Sequence, residues 1–196
     1  ANKQTHVFKR GSKFKDVIAL YNFDCELRII LFDVIEKIEI SFRTKLIYQL
    51  SHELGPWWFE DQNNFSDAKE HGKTLANLKR EIGRSRDQFI LAHKSKYVTD
   101  TRLPPSWKTL EVASLGALSK LYGNLLGTVK AKKTIAKEMG AINQKYLPSW
   151  LHSITQIRNI CAHHGRLWNK NLPNTVKLLS RPPKKWIKDV PTQAEY

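Results

Sequence analysis

The sequence predicts an all-α helical bundle, and three observations carry that prediction. Apolar residues return every three or four positions over long stretches. No run of four or more residues alternates apolar and polar with a β-branched bias. Gly55-Pro56, Leu103-Pro104-Pro105, Gly127, Gly140 and Gly165 punctuate the periodic stretches. With 196 residues, 41% of them hydrophobic and 10% aromatic, one domain can bury a real core, and no internal repeat breaks the chain into smaller units.

From Ser12 to Leu54 the stripe Leu27, Leu31, Val34, Ile38, Phe42, Leu46, Leu50 and Leu54 reads as one long helix or two in sequence. Gly55-Pro56 stops it, and Trp57-Trp58-Phe59 is too short for an element, so it is expected to plug the core from a loop. Ser66 is expected to cap a mostly solvated helix with the stripe Leu75, Leu78 and Ile82, and Asp87 to Tyr97 reads as a short helix. Leu103-Pro104-Pro105 sets a break, after which Ser106 offers the next cap. Leu110, Ala113, Leu118, Leu121, Tyr122 and Leu125 then line a helix running to Gly127. Lys132 to Met139 is expected to be a short basic helix ended by Gly140. A last long helix is expected from about Pro148 to His164, with Gly165 as its stop. Residues 1–170 form the helical domain in this reading, and 171–196 form an extended basic tail anchored by Trp186.

Charge departs furthest from the average. Lys and Arg total 33 against 18 Asp and Glu, a net +15 and a pI near 9.9, which calls for an anionic partner. The surplus is spread over Lys3 to Lys15, Lys79 to Arg86, Lys130 to Lys133 and Arg181 to Lys188, so it favours a salt-dependent, largely sequence-independent attraction to phosphates. No uncharged apolar run is long enough to span a membrane, because the richest stretch, Leu27 to Leu50, carries seven charges from Arg28 to Lys45. The chain starts at Ala1 without a signal-peptide pattern or an initiator Met, so a preceding segment is expected. Cys25 and Cys161 lie among helical apolar residues, as buried thiols in a reducing cytoplasm would. No CxxC, HExxH or HxxxH spacing occurs, and neither a metal nor another cofactor is expected.

One segment carries chemistry. On a helical wheel with Leu151 at zero, Ile154, Ile157 and Cys161 define a buried face. Arg158, Asn159, His163, His152 and, if the helix runs that far, Arg166 fall at about 340°, 80°, 120°, 100° and 60°, an expected exposed stripe, while His164 lands near the core edge at about 220°. A guanidinium, an amide and imidazoles together offer an anion clamp and a proton carrier near neutral pH, the two needs of phosphodiester cleavage. The same residues on a solvated helix end would gain only dipole stabilisation, and spacing alone does not separate the two.

The run Arg158-Asn159-Ile160-Cys161-Ala162-His163-His164-Gly165-Arg166-Leu167-Trp168-Asn169 closely resembles the signature of the Abi-like abortive-infection proteins (AbiD and AbiF type), whose domain belongs to the HEPN superfamily. Phe14 to Arg28, Ile38-Glu39 to Phe42-Arg43, and Leu103-Pro104-Pro105-Ser106-Trp107 leading to Glu111 resemble further family segments in order. The resemblance implies a HEPN-like bundle and a metal-independent endoribonuclease that cuts RNA through an Arg-x4-His motif, with two motifs meeting across a dimer. Only one motif is present, so a homodimer is expected. By resemblance, Arg158 would bind the scissile phosphate, His163 would act as general base or acid, and Asn159 would orient the imidazole or hold a phosphate oxygen. Arg166 and His164 would touch the RNA backbone, with an internal hydrogen bond as the alternative for His164. Glu39 and Arg43, four apart on the long helix, either pair with each other or line the same cleft. Trp57, Trp58 and Trp168 would either stack on bases or serve the core. The leading reading is a cytoplasmic phage-defence ribonuclease controlled by a bound RNA, such as a specific small non-coding RNA. The alternatives are a non-catalytic protein holding a folded small RNA and a helical interaction subunit whose polar stripe is a dimer interface.

Overall fold

Among residues 10–173 and 176–179, which the computed structural model describes, seven α-helices and one short 3-10 helix (Gln62–Asn64) make up the regular structure. The basic residues before 10 and after 180 and the Trp186 anchor lie outside the described residues. Helix α1 (Phe14–Leu54) is a single 41-residue helix, about 60 Å long at 1.5 Å per residue. It is followed by α2 (Ala68–Arg84), α3 (Gln88–Lys96), α4 (Ser106–Thr109), α5 (Leu115–Asn124), α6 (Lys130–Glu138) and α7 (Leu147–Ala162). The C-terminal half of α1 packs against α6 and α7; α5 lies between α7 and α2.

The core forms where the apolar stripes meet. Phe42, Leu46 and Leu50 of α1 are fully buried with Leu118, Leu121 and Tyr122 of α5, Ile135 of α6 and Leu151 of α7. The ring of Phe42 meets Tyr122 edge-on at 5.7 Å. The N-terminal half of α1 departs from the predicted stripe: Val34 is exposed and the inward positions are Asp24, Arg28 and Ile35. Among the described residues, only one side of that half meets other parts of the chain, and Phe14, Ile29 and Ile30 are 78%, 70% and 62% exposed.

The loop plug forms as expected, with Trp58 and Phe59 fully buried. Trp57 is not free to stack on a base, because its Nε1 donates to Leu103 O (2.9 Å) and the Arg102 guanidinium covers its ring at 3.8 Å. Two expected caps move by one residue. Ser66 instead hydrogen-bonds Asn124 O (2.8 Å), and Asp67 caps α2 by accepting from Glu70 N at 3.0 Å. Ser106 is buried inside the one-turn α4, bonded to Ser51 at 2.7 Å, with Pro105 before it.

The helix expected from Leu110 is broken, because Ser114 takes the N-cap role with its side chain accepting from Ala117 N (3.3 Å), so α5 begins only at Leu115. Lys132, on the inner side of α6, is buried. Its ammonium donates to Leu125 O and to Gly123 O (3.2 Å), capping the carbonyl end of α5, and burial lowers its pKa. Glu53 of α1 accepts from Lys130 N (2.9 Å) and Ala131 N, which caps the start of α6 from outside. The end of α6 is a Schellman turn: Ala141 N donates to Ala136 O (2.8 Å), Gly140 N to Lys137 O (3.0 Å), and Gly140 holds the left-handed slot at φ 82°.

Candidate functional site

The site is built on α7 and on the part of α1 beside it. Pro148 sits in the first turn of α7, where a missing donor is harmless, and Leu151 and Cys161 face inward, with Ile154 and Ile157 packed partly buried on the core. Burial pushes the Cys161 thiol up.

The helix ends at Ala162, with His163 as its C-cap. Gly165 N donates to Ile160 O (2.9 Å) and His164 N to Cys161 O (3.1 Å), the same Schellman pattern that ends α6. The left-handed slot, glycine in α6, is here filled by His164 at φ 53°, and Gly165 stands one residue later. A side chain in that slot costs about 1 kcal/mol relative to glycine. This turn corrects three expectations. Gly165 is not the residue that stops the helix, His164 is exposed rather than at the core edge, and Arg166 has left the helix and is exposed, so the wheel does not apply to it.

The segment after the turn is held by α1. Asp24 Oδ1 accepts from Leu167 N (3.0 Å) and Trp168 N (2.6 Å), while Oδ2 takes the Arg28 guanidinium in a buried ion pair. Arg28 also donates to Gly165 O (3.3 Å) and Cys25 Sγ (3.0 Å). The Trp168 and Leu167 amides and the Arg28 and Arg166 charges hold the Asp24 carboxyl below the usual carboxylate range, against the opposing effect of burial. Trp168 meets Phe23 edge-on at 5.1 Å and is still half exposed. Asp24 and Arg28 were not singled out from the sequence as functional residues. Their only signal in the sequence was an acid and a base four apart on one helix, a spacing shared by other pairs on α1 such as Asp33 and Lys37, so it did not set them apart.

The expected single stripe on α7 separates into two sides. Arg158 opens into a cleft between α1 and α7, where its Nε lies 4.0 Å from Glu39 Oε2 and its guanidinium 6.0 Å from the Phe32 ring centre. Glu39 and Arg43 pair at 2.8 Å, and both line this cleft, where Arg43 also donates to Ala113 O (3.1 Å). Asn159 and His152 line a groove on the other side of α7, against α2 and α5. The reason is the 100° step between consecutive helical residues, which sends Arg158 towards α1 and Asn159 towards α5. His163 is exposed at the helix end, above neither cavity.

Chemically, the arrangement offers an arginine held loosely in a cleft, an exposed imidazole on a braced turn, and amide and imidazole groups along the opposite groove. Among the described residues, no group of three or more His, Cys, Asp or Glu side chains could hold a metal ion, and no helix is long and apolar enough to cross a membrane. No curated protein and no solved structure matches the chain. The family model for Abi-like proteins matches residues 1–169, a span that takes in all seven helices and ends just past the clamped Leu167-Trp168 segment. By that match the chain belongs to the Abi-like protein family.

Proposed function

We propose that the chain is a metal-independent endoribonuclease of a bacterial abortive-infection system, active in the cytoplasm as a HEPN-type homodimer and held in check by a bound RNA. Family membership supports the abortive-infection role. The observation that carries the ribonuclease reading is His163, an exposed imidazole on a turn fixed by two Schellman hydrogen bonds and by Asp24, five residues from an arginine on the same helix. In the reaction, His163 takes the proton of a 2′-hydroxyl, the 2′-oxygen attacks phosphorus and the bond to the 5′-oxygen breaks, leaving a 2′,3′-cyclic phosphate and, after that oxygen is protonated, a 5′-hydroxyl. Arg158 stabilises the charge building on the phosphoryl oxygens.

Arg158 is available for this. Its pairing with Glu39 spans 4.0 Å and its side chain is 37% exposed, so the pair holds it by no more than about 1 kcal/mol and a phosphate can displace it. The exposed apolar residues of α1, Phe14, Ile29 and Ile30 among them, support assembly with a second copy, which would bring in the second motif.

A second reading, an RNA-holding protein that cuts nothing, draws on one specific observation: Arg158 lines the α1 cleft, and neither Asn159 nor His163 does. Incubating the purified protein and the Arg158→Ala and His163→Ala variants with labelled RNA separates the two. Products ending in 2′,3′-cyclic phosphate, lost at least a hundredfold in both variants, are expected. Unchanged cleavage in both variants refutes the proposal, and RNA binding without products favours the second reading. Purification without nuclease treatment, with the 260/280 nm ratio recorded, tests the bound RNA.

A further inference from the structure

Two concavities on the face of α7 away from α1 share Ser119, Lys120 and His152, and together they make one continuous groove across α2, α5, α7 and the start of the tail. Lys145 and Lys177 line one end, Lys120 the middle, and Gln156 and Asn159 the other end. Among the described residues, no Asp or Glu lines either concavity. Lys120, Lys145 and Lys177 are exposed and form no ion pair with a described residue; Lys73, at the α2 edge, is offset by Glu70. The cleft around Arg158 is the reverse: Glu36, Glu39 and Glu111 face Arg43 and Arg158, three carboxylates against two guanidinium groups.

A run of phosphates is repelled by that cleft and attracted by the groove. We infer that the α2–α5–α7 groove binds single-stranded RNA along its phosphate backbone, and that only the scissile phosphate needs to reach Arg158. His152, Gln156, Asn159 and His163 recur along α7 at steps of three or four, so the groove face leads along the helix to the candidate imidazole over about 16 Å. Asn159 is then a strand-guiding residue rather than a partner of Arg158. The choice of RNA over DNA rests on the ribonuclease reading; the position of the groove does not.

The test is fluorescence anisotropy of a labelled single-stranded RNA with the full chain, the Lys120→Glu/Lys145→Glu/Lys177→Glu variant, and a control reversing Lys79, Arg80 and Arg84. The three groove lysines are exposed, and an unchanged thermal melt checks that the variant folds. At least a tenfold loss of affinity is expected in the groove variant, with less than threefold in the control. The slope of log affinity against log salt should also become shallower by about 2, as three lost phosphate contacts on a single strand require. Equal losses in groove variant and control overturn the proposal in favour of diffuse attraction. Equal affinity for single-stranded DNA of the same sequence overturns the assignment to RNA. If the wild type binds through the groove but yields no product, the ribonuclease reading falls and the groove stands.

Discussion

Replacing Asp24 by Ala removes the group that ties the turn after α7 to α1. The Asp24 and Arg28 side chains are only 7% and 10% exposed, so the loss leaves a buried guanidinium with Gly165 O and Cys25 Sγ as its remaining acceptors. It also strips the acceptor from the Leu167 and Trp168 amides. Breaking a buried ion pair costs about 3–5 kcal/mol, and each orphaned amide would add about 1–3. The full sum is not reached, because residues 165–169 have no helix of their own and can lift away to let water in, which limits the loss to about 3 kcal/mol. For a chain of this size that lowers Tm by about 6–12 °C. Calorimetry at pH 7 measures it, together with hydrogen exchange of the Leu167 and Trp168 amides, which should lose protection. A Tm within 2 °C of wild type and unchanged protection at those amides would refute the reasoning. The pH dependence has a definite sign. The folded carboxyl titrates below its ordinary 3.8, so its contribution is present above that value and is lost as the pH falls through the folded pKa. The gap between wild type and variant should therefore be constant from about pH 7 to 5 and close below about pH 4.

Glu53→Ala uncaps α6 and should cost about 1 kcal/mol, seen as a Tm lower by about 2–4 °C, with the loss of helix confined to residues 130–133 by exchange. Lys132→Met leaves the Gly123 and Leu125 carbonyls without their donor and should destabilise by about 1 kcal/mol at pH 7. Burial depresses the folded pKa of Lys132, so the unfolded chain holds its proton to higher pH; wild type should gain on the variant as the pH rises towards 10.5, in melts run from pH 8 upward. His164→Gly relieves a left-handed side chain and should raise Tm by about 2–4 °C. A drop in RNA cleavage accompanying that gain would show that the strained histidine serves the reaction, and no change in Tm would show that the slot is not strained.

Local chemistry made most of the fold legible in the sequence. The three-to-four spacing of Phe42, Leu46 and Leu50 needs only a helix and a core to be read, and Gly55, Gly140 and Pro148 mark boundaries through properties of their own backbones. The motif from Arg158 to Asn169 was likewise visible as a string of residue types. Where a cap forms was not: Asn124, 58 residues away in the chain, claims the Ser66 hydroxyl and leaves Asp67 to cap α2, and Ser51, 55 residues away, holds the Ser106 hydroxyl inside α4.

The division of the candidate site was also beyond the sequence, because a wheel drawn around one helix shows angles but not neighbours. Only the packing of α1 on one side of α7 and α5 on the other assigns Arg158 to an acidic cleft and Asn159 to a basic groove. The end of α7 shows the same limit. Residue types place a histidine pair beside a glycine, but the left-handed conformation of His164 and the grip of Asp24 on residues 143 and 144 positions later arise from contacts that exist only once the chain has folded back on α1. The sequence thus determines the helices and the reactive groups through short-range preferences, and the tertiary structure decides which groups face each other through the long-range contacts that close the bundle.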